Sequence, residues 1–321
     1  MPAIITHDYF AQESYRKFFS FIGDSHEEFE AFLLGNQGPD PLFYSVVVPV
    51  LHRFCSLGKK MHDQKPEELL FALKRSYLIL DDHSSRIGRA YALGFLCHYL
   101  LDSNMHPFVY AQEYELCETD LEGLDQSDAK LIHALIESEF DEMVLFTQHN
   151  KTVAHFDPSK EILKASDEVL DVISKMYTYV TMVVYGICIP RAMFSLSTKT
   201  MRLGMSVFHS KTGIKRSLIG RVEEIFKPYS AYKSISLRDI ELEESVFENR
   251  AHIPWNNPFT DTTCTASFWD IYQQTQSKVE EAFLVFDDES FSLQKAQHIT
   301  HNLNFAGAPS TSLLVVEKPL A

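Results

Sequence analysis

The chain has 321 residues, 45% hydrophobic residues, a formal net charge of −15 and a pI near 5.4. This length and apolar content suffice for a substantial buried core in one or two domains. The excess of negative charge repels polyanions, so we expect no extended nucleic-acid binding. The five cysteines are widely spaced and include no Cys-x-x-Cys pair, which argues against disulfides and thiolate metal sites.

The first seven residues lack the basic region and the long apolar core of a signal peptide, so we expect a cytoplasmic protein. The longest uncharged run, residues 176–189, falls short of the roughly 18–20 residues that a membrane helix needs. We therefore expect no transmembrane segment.

Apolar residues recur at helical spacing along most of the chain, and no strand pattern stands out, which predicts an all-α fold. In chain order, the predicted helices cover residues 8–21, 25–35, 42–57, a helix that opens at 66, 84–106, 129–141, 159–190 and 267–285. Polar connectors are predicted at residues 58–66, 113–128 and 147–157, and a loop at 255–258. We expect residues 1–155 to form the core that carries the site, and residues 156–321 to pack on it as one globular unit.

One of these helices carries His98, Asp102 and His106, three residues of metal-binding type at four-residue intervals. A four-residue step turns about 40° and rises about 6 Å, so the three side chains share one stripe. His98 and His106 would lie about 12 Å apart, too far for both to bind one zinc at about 2.1 Å. We infer two ions, with Asp102 as the bridging carboxylate. Because Pro107 disfavours helical backbone before it, the helix should end at His106.

Each residue of this stripe also has a structural interpretation. A histidine on an apolar helix face is commonly a hydrogen-bonded core residue, and Asp102 could bond a neighbouring backbone group. Three ligand types in register among Phe, Leu and Tyr favour metal binding, because buried polar groups without partners cost stability.

Two residues that precede the stripe are candidates of the same kind. Asp40 lies between Pro39 and Pro41, and these prolines restrict its backbone and hold its carboxylate in place. Aspartate is also common in turns that end helices, and spacing alone favours that structural role. His62 lies in a predicted polar connector, where by itself it would be a solvent-exposed histidine.

His133 and Glu137 lie four residues apart on one face of a later predicted helix. Such a pair could chelate one ion. An i,i+4 His–Glu pair is equally a routine hydrogen bond on a helix surface. Spacing therefore leaves both interpretations open.

Several catalytic motifs are absent from the chain. It contains no Glu-x-x-His of di-iron bundles, no His-Glu-x-x-His of metalloproteases, no phosphate loop and no Gly-x-Ser-x-Gly nucleophile elbow. Two His-Asp dipeptides, His7-Asp8 and His62-Asp63, are typical of the helical, metal-dependent HD-domain phosphohydrolases. That family would not explain the regular stripe, so it ranks second among enzyme classes.

The order of the candidate ligands resembles the zinc-dependent phospholipase C family, relatives of bacterial phosphatidylcholine-hydrolysing enzymes and alpha-toxins. Single-strand-specific zinc nucleases share the same scaffold and ligand order. The resemblance covers about the first half of the chain and implies a multi-helix bundle around a multinuclear zinc site. The matching elements are Thr6-His7, Gly35-x-x-Gly38-Pro39-Asp40, Met61-His62, His98-x-x-x-Asp102-x-x-x-His106-Pro107 and His133-x-x-x-Glu137.

The resemblance also implies two or three zinc ions and a distribution of ligands. One zinc would be held by Asp40, His62, His98 and Asp102, a second by His106, His133 and Glu137, and a third would face His7. Secreted members use the free amino group of an N-terminal Trp at the third metal, whereas His7 here follows Met1-Pro2. The long interval before His62 leaves His52 as a substitute ligand. Asp40 would also be catalytic, because the family's equivalent orients or deprotonates the attacking water.

The function implied is that of a metal-dependent phosphodiester hydrolase that uses zinc-activated water on a phospholipid or a related small phosphodiester. The implied function also allows transient contact between the protein and a membrane surface. Two alternatives remain: an HD-type or nuclease-like phosphohydrolase, and a non-catalytic helical protein that binds zinc for structure. Structural zinc sites are usually mononuclear and rich in cysteine, which counts against the last.

Overall fold

The structure is a computed structural model that describes residues 3–118, 126–209 and 236–310. Helices dominate these residues, which confirms the all-α prediction. The α-helices are α1 (Ile4–Ile22), α2 (His26–Gly35), α3 (Leu57–Asp63), α4 (Pro66–Leu78), α5 (Asp82–Glu118), α6 (Ala129–His149), α7 (Pro158–Glu161), α8 (Asp167–Tyr185), α9 (Met193–Phe208), α10 (Phe268–Asp287) and α11 (Leu293–Thr300). Short 3-10 helices span Asp40–Val47, Pro49–Phe54 and Gln126–Asp128.

The start of α2 follows the sequence prediction closely. Ser25 and Glu28 form the expected capping box, in which the Ser25 side chain accepts from the Glu28 amide at 3.1 Å and the Glu28 carboxylate accepts from the Ser25 amide at 3.0 Å. The helix ends at Gly35, as predicted. Local signals sufficed here because a cap bonds only residues three positions apart.

The region after Asp40 differs from the prediction of one helix followed by a polar connector. Two 3-10 helices replace the α-helix, because Pro49 inside the predicted helix lacks an amide hydrogen and the residue before it is extended. The predicted connector is largely α3, which buries Leu57 and Met61. His62 therefore lies on a short helix rather than on a loop.

Helix α5 does not end at His106 but continues through Pro107 to Glu118. Proline inside a helix costs roughly 3 kcal/mol. Phe108 and Val109, which follow it, are buried, and burying such side chains contributes roughly 1.5–3 kcal/mol each. Packing thus offsets the cost of the proline. The predicted connector at 113–128 begins within α5, and its residues 119–125 lie outside the described part of the chain.

The predicted helix over residues 159–190 is divided into α7 and α8. Ser166 caps α8 by accepting from the Val169 amide at 3.3 Å, and Gly186 ends it in a left-handed conformation. Helix α6 extends into the predicted connector at 147–157. The predicted loop at Trp255 contributes the strand β1 (Trp255–Asn256), which pairs antiparallel with β2 (Thr263–Cys264).

The chain groups into two discontinuous compact units. One comprises Met1–Tyr9, Met105–Leu163 and Arg202–Gln273, and the other comprises Phe10–Asn104, Lys164–Met201 and Gln274–Ala321. The division expected at residue 155 remains a prediction. Among the helices of the described residues, none has the length and apolar character needed to cross a membrane.

Candidate metal centres

The packing of α2 on α5 places His98. A Cβ on Gly94 would lie 2.1 Å from the Phe32 carbonyl oxygen, so only glycine allows these two backbones to approach so closely. The end of α2 then reaches His98, whose Nδ1 lies 3.2 Å from the Asn36 carbonyl oxygen. Because a carbonyl only accepts, Nδ1 carries the proton and Nε2 is the nitrogen available to a metal.

The turn before Asp40 covers the His98 ring. Gly38 has a φ of +50°, and a Cβ there would lie 2.1 Å from the His98 ring. The Gly38 carbonyl accepts hydrogen bonds from Tyr91 at 3.3 Å and from Tyr177 of α8 at 3.1 Å. These bonds fix the carbonyl two residues before Asp40, so the carboxylate is positioned by its turn and by two buried tyrosines.

Helix α3 brings His62 to Asp40. His62 Nδ1 donates a hydrogen bond to the Gly58 carbonyl oxygen, one turn earlier, at 2.8 Å, and His62 Nε2 lies 3.0 Å from Asp40 Oδ1. The carbonyl again fixes the tautomer that presents Nε2. A partner on the outer nitrogen is the usual arrangement for a metal-binding histidine.

We name Asp40, His62, His98 and Asp102 the Asp40 group. Asp102 Oδ2 lies 3.4 Å from His98 Nε2 and 4.0 Å from His62 Nε2, and Asp40 Oδ1 lies 4.0 Å from His98 Nε2. Ligand atoms about 2.1 Å from a tetrahedral zinc lie about 3.4 Å apart. The spacing and chemistry of Asp40, His62 and His98 therefore fit one zinc ion. The described distances connect Asp102 to this group, and its bridging role remains a prediction.

The negative charge of Asp40 and the positive charge of His62 stabilise each other. Burial raises the pKa of Asp40, but its hydrogen bond with His62 and the charge of His98 outweigh burial and lower it overall. Burial lowers the pKa of His62, but the hydrogen bond and charge of Asp40 raise it overall. At neutral pH, Asp40 is therefore a carboxylate.

We name His106, His133 and Glu137 the His106 group, which lies in the other unit. Both histidine Nε2 atoms are 3.5 Å from Glu137 Oε1, again close to the separation of zinc ligands. His133 Nδ1 donates to Glu113 Oε2 at 2.8 Å, which directs Nε2 toward Glu137. His106 of α5 thus joins the predicted i,i+4 pair of His133 and Glu137.

The electrostatics of the His106 group are those of a buried ion pair. Burial lowers the pKa of His133, but the charge of Glu137 and the hydrogen bond to Glu113 raise it to about 9. Burial raises the pKa of Glu137, yet the neighbouring positive charges, His133 among them, hold it well below its usual range. A cation can replace the His133 proton in this arrangement.

The sequence offered two further candidates, His7 and His52. His7 lies in the first turn of α1 and is buried. His52, the substitute ligand, is exposed, and its Nδ1 lies 3.1 Å from the Val46 carbonyl oxygen. His62 rather than His52 therefore accompanies Asp40.

The sequence analysis missed the residues that support the candidate ligands. Glu113 belongs to no recognised motif, and Phe305 lies far along the chain from the candidate ligands. The Phe305 ring centroid is 4.9 Å from that of His62 and 5.7 Å from that of His98, and its amide donates to the His62 carbonyl oxygen at 3.1 Å. No periodic or motif signal marks Phe305, because its role arises from tertiary packing.

The fold and the two groups define an α-helical protein with candidate metal centres of histidine and carboxylate. A family model described as zinc dependent phospholipase C matches residues 6–181, more than half of the chain and a range that includes all the predicted ligands. The chain therefore belongs to the zinc-dependent phospholipase C family. Membership of this family supports the assignment of the chain as a zinc-dependent, phospholipase-like hydrolase. No curated protein and no solved structure matches the chain.

Proposed function

We propose that the chain hydrolyses the phosphodiester bond of a phospholipid or of a related small phosphodiester. The observation that carries this proposal is the convergence of Asp40, His62 and His98, with Asp102 Oδ2 3.4 Å from His98 Nε2, at separations close to those of zinc ligands. The His106 group supplies donors for a second ion. A third ion beside His7 remains a prediction. Family membership supports the reaction class.

The role proposed for Asp40 follows from its charge and position. When bound, zinc supplies an activated water and neutralises the charge on the phosphodiester oxygens. Asp40 directs Oδ1 toward His62, and we assign its Oδ2 to hold the attacking water by accepting a hydrogen bond. A carboxylate whose pKa is lowered is a weak base, so it orients water better than it removes a proton.

One observation favours this function over the HD-type alternative. In the His62-Asp63 dipeptide, only His62 belongs to the Asp40 group. Asp63 instead accepts from Lys59 Nζ at 2.6 Å on the partly exposed side of α3. An HD-type site would need both residues of the dipeptide at the metal. The nuclease-like and non-catalytic alternatives are separated by experiment.

The test is a substrate panel with purified, zinc-loaded protein. The panel contains para-nitrophenyl phosphocholine, a short-chain phosphatidylcholine, single-stranded DNA and a nucleoside monophosphate. We expect cleavage of the first two alone, lost with chelator and restored by zinc, and at least two equivalents of zinc by elemental analysis. DNA cleavage would indicate a nuclease, and monophosphate release an HD-type enzyme. No cleavage of any of the four by loaded protein would contradict the proposal.

Asp40→Asn tests the residue that we place at the water. The amide oxygen still coordinates zinc, but the neutral side chain holds the water less well, so we expect zinc content near wild type and turnover lower by roughly 10²-fold. Asp63→Asn is the matched control, since it neutralises a nearby carboxylate outside the group, and should leave both unchanged. Wild-type turnover in fully loaded Asp40→Asn would exclude this role.

A further inference from the structure

The segment at residues 46–50 presents apolar side chains to solvent. Val47 is 64% exposed and Val50 is 72% exposed, and Val46 and Pro49 are exposed as well. Single exposed apolar residues are ordinary, whereas several on one short segment mark an interaction surface. We name residues 46–50 the valine segment.

The stretch of sequence that contains the valine segment is basic, in contrast to the chain as a whole. Residues 41–62 contain no Asp or Glu but include Arg53, Lys59 and Lys60, whereas the chain carries a net charge of −15. Arg53 and Lys59 are exposed. Asp63 pairs with Lys59, so the balance near the segment is still positive. An apolar protrusion beside basic residues is complementary to an anionic lipid surface.

The valine segment is physically continuous with the Asp40 group. The 3-10 helix that ends with Val46 and Val47 begins at Asp40. At a rise of about 2 Å per residue, these valines lie roughly 12–14 Å along the helix from Asp40. The same helix contacts α3, and the Phe43 ring lies 5.1 Å from that of His62. A contact at the valine segment therefore holds two ligands of the group near the bound surface.

We propose that the valine segment inserts into the surface of an anionic phospholipid layer and holds the Asp40 group at that surface. The contribution of this insertion to catalysis rests on the proposed function, whereas the binding of the valine segment to the lipid layer does not. A second copy of this chain is a poorer occupant. A two-fold contact would place the same patch against itself and bring Arg53 and Lys60 toward their own copies.

The test is cosedimentation of the full chain with vesicles, in chelator so that no lipid is hydrolysed. Vesicles of phosphatidylcholine with phosphatidylglycerol are compared with vesicles of phosphatidylcholine alone. We expect preferential binding to the anionic vesicles that weakens with salt. Absence of wild-type binding to the anionic vesicles would overturn the proposal.

The double variant Val47→Asp/Val50→Asp should lower vesicle partitioning at least about tenfold, because two apolar side chains are replaced by charges of the wrong sign. Leu284→Asp is the matched control, since Leu284 is also 60% exposed but lies on α10. It should bind like wild type. Thermal denaturation confirms that both variants fold. Wild-type binding by the double variant, or an equal loss in Leu284→Asp, would contradict the proposal.

Two further readouts separate this proposal from its alternatives and from the proposed function. The double variant should keep the wild-type kcat/KM on soluble para-nitrophenyl phosphocholine and lose activity on vesicles. Vesicle binding without hydrolysis of any phosphodiester would defeat the proposed function alone. Hydrolysis without vesicle binding would defeat the interfacial proposal alone. A wild-type dimer that becomes monomeric in the double variant would identify the segment as a self-interface.

Discussion

Gly38 is the residue at which backbone conformation and ligand geometry depend on each other. Its φ of +50° is costly for other residues, and the space that a Cβ would need is occupied by the His98 ring. Gly186 offers a comparison, because it has a φ of +66° but a Cβ there would point into open space, with no neighbouring group within 4 Å. A comparison of substitutions at the two glycines therefore distinguishes backbone strain from displacement of the candidate ligand His98.

Gly38→Ala should lower zinc affinity, because the new methyl group must displace the His98 ring. Gly186→Ala should impose only the backbone strain, roughly 1–2 kcal/mol, and leave zinc affinity unchanged. Competition with a chromophoric chelator measures the affinity, and thermal denaturation in chelator measures the strain. Equal zinc affinities in the two variants would show that the Gly38 turn does not control His98.

At the scale of elements, the turn at residues 303–309 supports the Asp40 group from far along the chain. Leu303 and Pro309 form an isolated bridge, and Asn304 Oδ1 accepts from the amides of Ala306 and Ala308. This closed turn holds the Phe305 ring against two candidate ligands, His62 and His98. Residues 303–309 therefore form a wall beside two candidate ligands.

Phe305→Ala should lower stability by about 3–5 kcal/mol, as for other buried phenylalanines, and should also lower zinc affinity, because His62 and His98 lose a packing partner. Phe291→Ala is the control. Phe291 is buried against Phe71 and Phe286 rather than against ligands. It should lose stability without losing zinc affinity, as measured by denaturant unfolding and chelator competition. A wild-type zinc affinity in Phe305→Ala would argue against the supporting role.

At the scale of the whole molecule, metal binding and stability should depend on pH in opposite directions. The pKa of His133 is raised from 6.5 to about 9. In metal-free protein, the stability from this shift is fully present below pH 6.5 and is lost as the pH rises through about 9. Zinc needs the neutral imidazole, so its affinity for the His106 group rises over the same interval.

The increase in melting temperature on adding zinc should therefore grow from pH 6.5 to about 9. Differential scanning calorimetry with buffered free zinc measures it. His133→Gln, which cannot take up this proton, should show a smaller zinc effect and a weaker dependence on pH. A zinc effect that is constant over this interval in the wild type would contradict the assignment of His133 as a ligand that must lose a proton.

The sequence by itself determined the features that depend on local spacing. The all-α class, the cap of α2 at Ser25 and the shared face of His98, Asp102 and His106 all follow from helical periodicity and short-range bonds. The order of the ligands also sufficed to indicate the family. These features required no knowledge of which distant segments meet.

Tertiary structure decided the rest. It carried α5 past Pro107, placed His62 on a helix, and joined His106 to the pair on α6. It also supplied the residues that support the candidate ligands, which are Asn36, Gly58, Glu113, Tyr177 and Phe305. Such contacts join residues far apart in the chain, and packing energy rather than local propensity selects them, so they leave no periodic pattern in the sequence.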